Sequence, residues 1–216
     1  MSDDDLRKDV NDELHWDPKI DNAEIAVAAE DGVITLRGTV GSLREKHDAK
    51  KAAERVYGVR SVDNKLEVRL MGDAARRDAE LRGDVLQALM LDSLVPSTIE
   101  ASIDDGYVRL SGTAEWKYQR DEAERVAGNV RGVVGIWDDV ELLGAEPDGD
   151  EVEHAISKAF KRNAKLDAKD ITAEAEGRTV TLKGTVSSWA EHDEAVAAAW
   201  SAPGVQKVRD HILVAY

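Results

Sequence analysis

Apolar positions along the chain fall into one five-part pattern. Leu6, Val10 and Leu14 recur every four residues and predict one face of a helix. Ile25, Val27 and Ala29 then alternate with other residues, as do Ile34, Leu36 and Val40, which predicts two half-buried strands. Asp31-Gly32 between them predicts a tight hairpin. Ser42 and Glu45 stand at capping-box spacing ahead of a helix reaching about Val56. Gly58 is expected to stop that helix, and Val62, Leu66 and Val68 predict a last strand. The order is α, β, β, α, β.

The pattern is then written twice more. Leu81, Val85 and Leu89 mark a helix, Ile99, Ala101 and Ile103 a strand, Asp105-Gly106 a turn, and Val108 and Leu110 the next strand. A helix from about Trp116 to Val130 leads to Gly132 and to Ile136, Val140 and Leu142. In the third copy Val152, Ile156 and Phe160 precede Ile171, Ala173 and Ala175. Its turn reads as one residue longer, Glu176-Gly177-Arg178, before Val180 and Leu182. Ser188 and Glu191 repeat the capping box, and Val208, Ile212 and Val214 close the chain.

Two glycines hold the register of all three copies. They stand twenty residues apart each time, Gly38 to Gly58, Gly112 to Gly132 and Gly184 to Gly204. Successive copies begin 74 and 72 residues apart, 38 to 112 and 112 to 184. A fixed period of this kind sets the architecture before any single residue is assigned. The expected units are 1–71, 78–143 and 150–216, joined by short polar linkers at 72–77 and 144–150.

A hairpin and a right-handed βαβ crossover that share a strand give a three-stranded mixed sheet with the shared strand in the centre. One apolar sheet face and two apolar helix stripes put both helices on that face. The expected fold class is therefore α+β: three tandem αββαβ units, each a three-stranded mixed sheet with two helices on one face. Gly38, Gly112 and Gly184 interrupt an alternating strand, where close packing of the next helix is the expected cause and ligand approach the functional alternative. Gly58, Gly132 and Gly204 are expected as helix C-caps.

Composition narrows the function classes. The net charge of −15 argues against nucleic acid, whose phosphates need clustered Lys and Arg. With no cysteine there are no disulfides, thiolate metal sites or cysteine nucleophiles. No apolar run reaches the roughly 18 residues of a transmembrane helix. Met1-Ser2-Asp3-Asp4-Asp5-Leu6 lacks the basic and apolar regions of a secretory signal, so the expected location is cytoplasmic, or periplasmic for a mature form. The acidic start of the chain is expected to cap the first helix, with Pro18 beyond its end.

No catalytic motif is present. His15, His47, His154, His192 and His211 form no HExxH or HxH pattern, and none recurs at one place in all three copies, so no metal or catalytic role is expected. Asp148-Gly149-Asp150 lacks the remaining ligands of a calcium loop and reads as linker. Two surface features remain. Arg44, Lys46, Lys50, Lys51 and Arg55 make the second helix of the first copy basic, a candidate for anionic headgroups, although Glu45, Asp48 and Glu54 intervene. Trp116, Lys117, Tyr118 and Arg120, with Trp189 in the third copy, suit a membrane interface or a protein contact. Trp137 and Trp200 are candidates for burial between copies.

The order αββαβ, the strand–Gly-Thr-Val–helix segment and the helix–Gly-Val–strand segment resemble the BON domain, in three tandem copies covering essentially the whole chain. The resemblance implies a non-catalytic module linked to envelope and osmotic stress, with phospholipid binding and, in one branch, potassium binding. Three readings follow: a stress-associated module contacting phospholipid or another envelope component, a potassium-responsive module using backbone carbonyls, and a chaperone-like or scaffolding module for protein partners. No other cofactor is expected, and no oligomeric state is implied.

Overall fold

A computed structural model describes residues 2–69, 77–143, 149–163 and 170–215. The first repeat runs α1 (Asp3–Trp16), β1 (Ile25–Glu30), β2 (Val33–Val40), α2 (Leu43–Glu54) and β3 (Ser61–Val68). The second runs α3 (Asp78–Leu91), β4 (Ile99–Asp104), β5 (Tyr107–Ala114), α4 (Lys117–Gly128), β6 (Gly135–Asp138) and β7 (Glu141–Leu142). The third runs α5 (Gly149–Arg162), β8 (Ile171–Glu176), β9 (Thr179–Val186), α6 (Trp189–Trp200) and β10 (Lys207–Val214).

The sheets have the expected topology. β2 lies between β1, antiparallel, and β3, parallel, and β9 lies likewise between β8 and β10. In the second repeat β5 is central, and both β6 and β7 pair with it. Each repeat packs its helices on the apolar sheet face. Leu6, Val10 and Leu14 of α1 and Ala49, Ala52 and Ala53 of α2 meet Ile34, Leu36, Val40 and Leu66 in one core. Val152, Ile156 and Phe160 of α5, Ala195 and Ala199 of α6, and Val180, Leu182 and Ile212 do the same in the third repeat. The helix stripes and central-strand positions read from the sequence are thus buried, while first-strand positions such as Ile25, Val27 and Ala29 are half-buried against the core. The chain divides into two compact units, Met1–Glu141 with the first two repeats and Leu142–Tyr216 with the third.

Local details correct several expectations. The acidic start of α1 is capped by Ser2, whose hydroxyl accepts from Asp5 N while the Asp5 carboxylate accepts in return from Ser2 N. At α2 the cap is displaced by one residue. Ser42 Oγ accepts from Glu45 N at 3.1 Å, but the Glu45 carboxylate accepts from Gly41 N at 2.8 Å and from Asp21 N at 2.6 Å, so it also anchors the approach to β1. Glu191 does the same to Ser187 N at 2.7 Å.

The third hairpin carries no extra residue. Glu176 pairs with Thr179, leaving Gly177-Arg178 as a two-residue turn with positive φ at Gly177, where the other two turns place Asp31-Gly32 and Asp105-Gly106 at positive φ. Gly149 and Asp150, expected as linker, open α5. The linkers at 72–76 and 144–148, and the unit ends at 71 and 216, lie outside the described residues.

The in-strand glycines answer to backbone, not to helix packing. A Cβ at Gly38, Gly112 or Gly184 would stand 1.9, 2.0 or 1.9 Å from the carbonyl oxygen of Glu24, Thr98 or Asp170, on the lead into the preceding strand. Their φ values of +123°, +104° and +138° exclude side chains independently. Nor are Gly58, Gly132 and Gly204 helix caps. The C-cap residues are Arg55, Asn129 and Ser201, in right-handed conformation. Each glycine instead takes the third position of a turn closed by Val59 N to Val56 O, Val133 N to Val130 O, or Val205 N to Ala202 O. A positive φ at that position is what a type II turn requires, and Pro203 fits the position before it.

Candidate functional site

The predicted contact residues divide between two places. On α2 most cations are already paired. Arg44 reaches Asp48 at 3.6 Å, Lys50 meets Glu54 at 2.9 Å, and Arg55 crosses to α1, meeting Glu13 at 2.8 Å and Asp17 at 3.0 Å. The Arg55 guanidinium holds the Asp17 carboxyl below its ordinary range, aided by the Lys19 amide. Lys46 gives its backbone carbonyl to Asn64 Nδ2 at 2.8 Å. Three of the five cations of the basic helix, Arg44, Lys50 and Arg55, are therefore engaged by carboxylates.

Near α4, Trp116 and Tyr118 are exposed, and Lys117 pairs with Asp121 one turn on. Gln119 Oε1 reaches back to Trp116 N at 3.1 Å and Glu115 N at 3.0 Å, fixing the helix start. Arg120 turns to the sheet and pairs with Asp138 at 3.0 Å. Trp189 packs on the core of the third repeat, with its ring edge-on to His192 at 4.7 Å, and Trp200 packs on the same core. Trp137 lies on the outer sheet face of the second repeat, stacked on Tyr107 at 4.9 Å with Arg109 4.9 Å from its ring centre.

One arrangement recurs in every repeat. The last strand carries Asn64, Asp138 or Asp210, whose side-chain oxygen accepts from the amide two residues on, Leu66, Val140 or Ile212. The same side chain ties the strand to the fourth residue of the second helix: the Lys46 carbonyl, Arg120, or His192, whose Nε2 lies 2.6 Å from Asp210 Oδ2. In the second repeat this local bond accompanies a break between β6 and β7, where one continuous strand was expected. Hydrogen bonding with Asp193 and the charge of Asp210 raise His192 above its ordinary 6.5, against the effect of burial. His192 is thus a strand-to-helix tie and not part of a solvated face.

Within the first unit, α2 and α4 face one another across a cleft of about 420 Å³. Leu43, at the start of α2, is buried 3.4 Å from where a Cβ on Gly128 would stand at the end of α4. Arg44, His47, Asp48 and Lys51 line one wall, and Asp121, Glu124, Arg125 and Asn129 line the other. Burial, with Lys46 and Lys51 nearby, holds His47 below 6.5. Burial, with Asp138 and Asp121 nearby, raises Glu124 above 4.5. The sequence shows each wall, at helical spacing, but nothing in it brings together stretches this far apart.

A third feature escaped the sequence reading. Met90, Leu91 and Leu94, at the end of α3 and just beyond it, are 79%, 73% and 49% exposed. Their spacing from Leu89 shows that they lie off the buried stripe, which was the available signal. Among the described residues no group of three or more His, Asp or Glu is placed to hold a metal ion, and no helix is long and apolar enough to cross a membrane.

Three repeats with one topology and one glycine frame make a family comparison decisive. The BON-domain model matches residues 2–69, 77–144 and 148–216. The chain belongs to the BON-domain family. Its three BON domains are similar in part to osmotically-inducible protein Y of Escherichia coli (strain K12), 34% identical over 126 residues. That match covers 56% of this chain and 63% of the relative. Among solved structures, CdsD, a structural protein of the type III secretion system of Chlamydia trachomatis, aligns over 98% of this chain and 92% of its own. Identity there is 14% and the TM-score 0.28. The C-terminal domain of CdsD aligns over the full length of both chains at 13% identity and a TM-score of 0.27.

Proposed function

We propose that these BON domains form a non-catalytic binding module associated with osmotic stress and the envelope, which docks on a phospholipid surface through the end of α3. The stress association rests on the family and on the name of the E. coli relative. The observation that carries the docking mode is the exposure of Met90, Leu91 and Leu94 in a chain of which 34% is charged. Contiguous exposed apolar side chains mark contact sites for membranes or partners. The paired state of Arg44, Lys50 and Arg55 argues against docking led by the basic helix, since a cation engaged by a carboxylate offers little to a headgroup. Apolar insertion then dominates, and it is insensitive to salt where headgroup attraction is not.

Flotation with phosphatidylcholine vesicles and with vesicles containing an anionic lipid tests this. Binding to both, retained at about 0.5 M salt where the Debye length is only a few ångströms, is the expected result. The double variant Met90→Ser, Leu91→Ser should float poorly while keeping its melting temperature. Binding to anionic vesicles alone, abolished by salt, would return the contact to the cations of α2; no binding to either would sink the membrane reading.

A further inference from the structure

The α2/α4 cleft is closed at one end by Leu43 against Gly128, and beyond that contact its charged side chains face one another. Arg44 and Lys51, with Asp48 between them, stand on one side, and Asp121 and Glu124, with Arg125 held by Glu122, on the other. Among the described residues no ion pair or hydrogen bond crosses between the two helices there: Arg44 pairs with Asp48 on its own helix, and Asp121 with Lys117 on its own. Opposite charges brought together by folding and left apart leave room for a bridge. Asp48 Oδ2 is buried and has no hydrogen-bond donor, with only the Arg44 guanidinium nearby at 3.6 Å. A buried carboxylate oxygen without a hydrogen-bond donor is costly, and a ligand that supplies an N–H group removes that cost.

We propose that this cleft binds a small zwitterionic solute of the amino-acid class, its ammonium group received by Glu124 and Asp48 and its carboxylate by Lys51. The cleft volume of about 420 Å³ lies at the small-ligand end of ordinary binding pockets. A zwitterion satisfies both walls at once. An inorganic anion would meet only the cationic wall, against Asp48 and Glu124. A potassium ion would meet only the acidic wall, against Lys51, Arg44 and any proton on His47. The site is independent of the α3 apolar patch and stands or falls separately from membrane docking.

The probes are glycine, β-alanine and 4-aminobutyrate, which carry the same two charges at increasing separation. Acetate, methylammonium and potassium chloride serve as single-charge controls. NMR titration of the full chain should show saturable shifts at His47, Gly128 and Asn129 with at least one zwitterion, at a Kd of about 1 mM or tighter, and about tenfold tighter than any control. Glu124→Gln and Lys51→Met should each weaken that zwitterion by about tenfold, with the melting temperature of each variant establishing that it folds. Potassium or acetate binding as tightly as the best zwitterion overturns the proposal. So does the absence of cleft shifts with all three zwitterions in the unmodified protein.

Discussion

The second and third repeats solve one structural problem with different chemistry. Each must fasten its last strand to the second helix packed over it, and each does so with an aspartate two residues ahead of a buried apolar position. In the second repeat Asp138 meets Arg120, which stays charged at any physiological pH. In the third, Asp210 meets His192, a side chain whose charge is pH-dependent and whose protonated form this contact favours. The first repeat uses no charge at all, since Asn64 donates to the Lys46 carbonyl. The difference teaches that the repeat dictates a contact at this position but not its electrostatic character. Stability can therefore respond to pH in one repeat and not in its neighbour.

The comparison is sharpened first by what the repeats share. Gly112→Ala and Gly184→Ala should be about equally damaging, because each would set a Cβ 2.0 or 1.9 Å from a backbone carbonyl at positive φ. A loss of about 3 kcal/mol or more is expected at either site, the range of strained special backbone positions, read by urea unfolding. If Gly184→Ala proved mild, the common glycine frame would not be what fixes the strand entrance.

Next comes the tie itself. Asp138→Ala should cost about 1–3 kcal/mol, because it strands a part-buried guanidinium and frees the Val140 amide. That loss should hardly change between about pH 5.5 and about pH 8, since the reference values of aspartate and arginine side chains lie outside that window. Asp210→Ala should cost a similar amount at the lower pH and less at the higher.

The sign follows from the direction of the shift. His192 is raised above 6.5 in the folded chain, so its contribution is fully present below 6.5 and is lost as pH rises through the folded value. His47 is held below 6.5, so the first unit loses stability as pH falls through that lower value. The smallest predicted effect is a slope. His192→Arg should flatten the loss of stability of α6 and β10 between about pH 6.5 and about pH 8, measured by hydrogen exchange corrected for intrinsic rates. An unchanged slope would remove His192 as its source.

Much of this was legible beforehand, and unevenly. Leu6, Val10 and Leu14, the alternation at Ile34 and Leu36, and the Asp-Gly turns announce themselves because their signals are local and periodic. The glycines announced a backbone need but not its nature: Gly38 meets the Glu24 carbonyl, a contact no spacing rule encodes. Arg44, Lys50 and Arg55 looked like a cationic face because their partners, one turn away or on α1, become partners only after helix geometry and packing are set. Met90 and Leu91 fall off the four-residue spacing of Leu81, Val85 and Leu89, a signal that sets them outside the buried stripe without saying what they face.

The sequence alone determined the three-fold repeat, the α+β class, the order of elements and the buried stripe of each first helix and central strand, because each follows from short-range periodicity and turn chemistry. The buried alanines of the second helices, such as Ala49, Ala123 and Ala195, carried no such signal. Tertiary structure decided the rest. It set Leu43 against Gly128 and so brought α2 of one repeat over α4 of the next, opening a cleft between stretches about 77 residues apart, from Arg44 to Asp121. It also chose which charges were spent on ties and which were left facing solvent or one another. The physical reason is range: helix, strand and turn preferences act over a few residues, whereas a site is assembled by packing, which joins residues without regard to their distance along the chain.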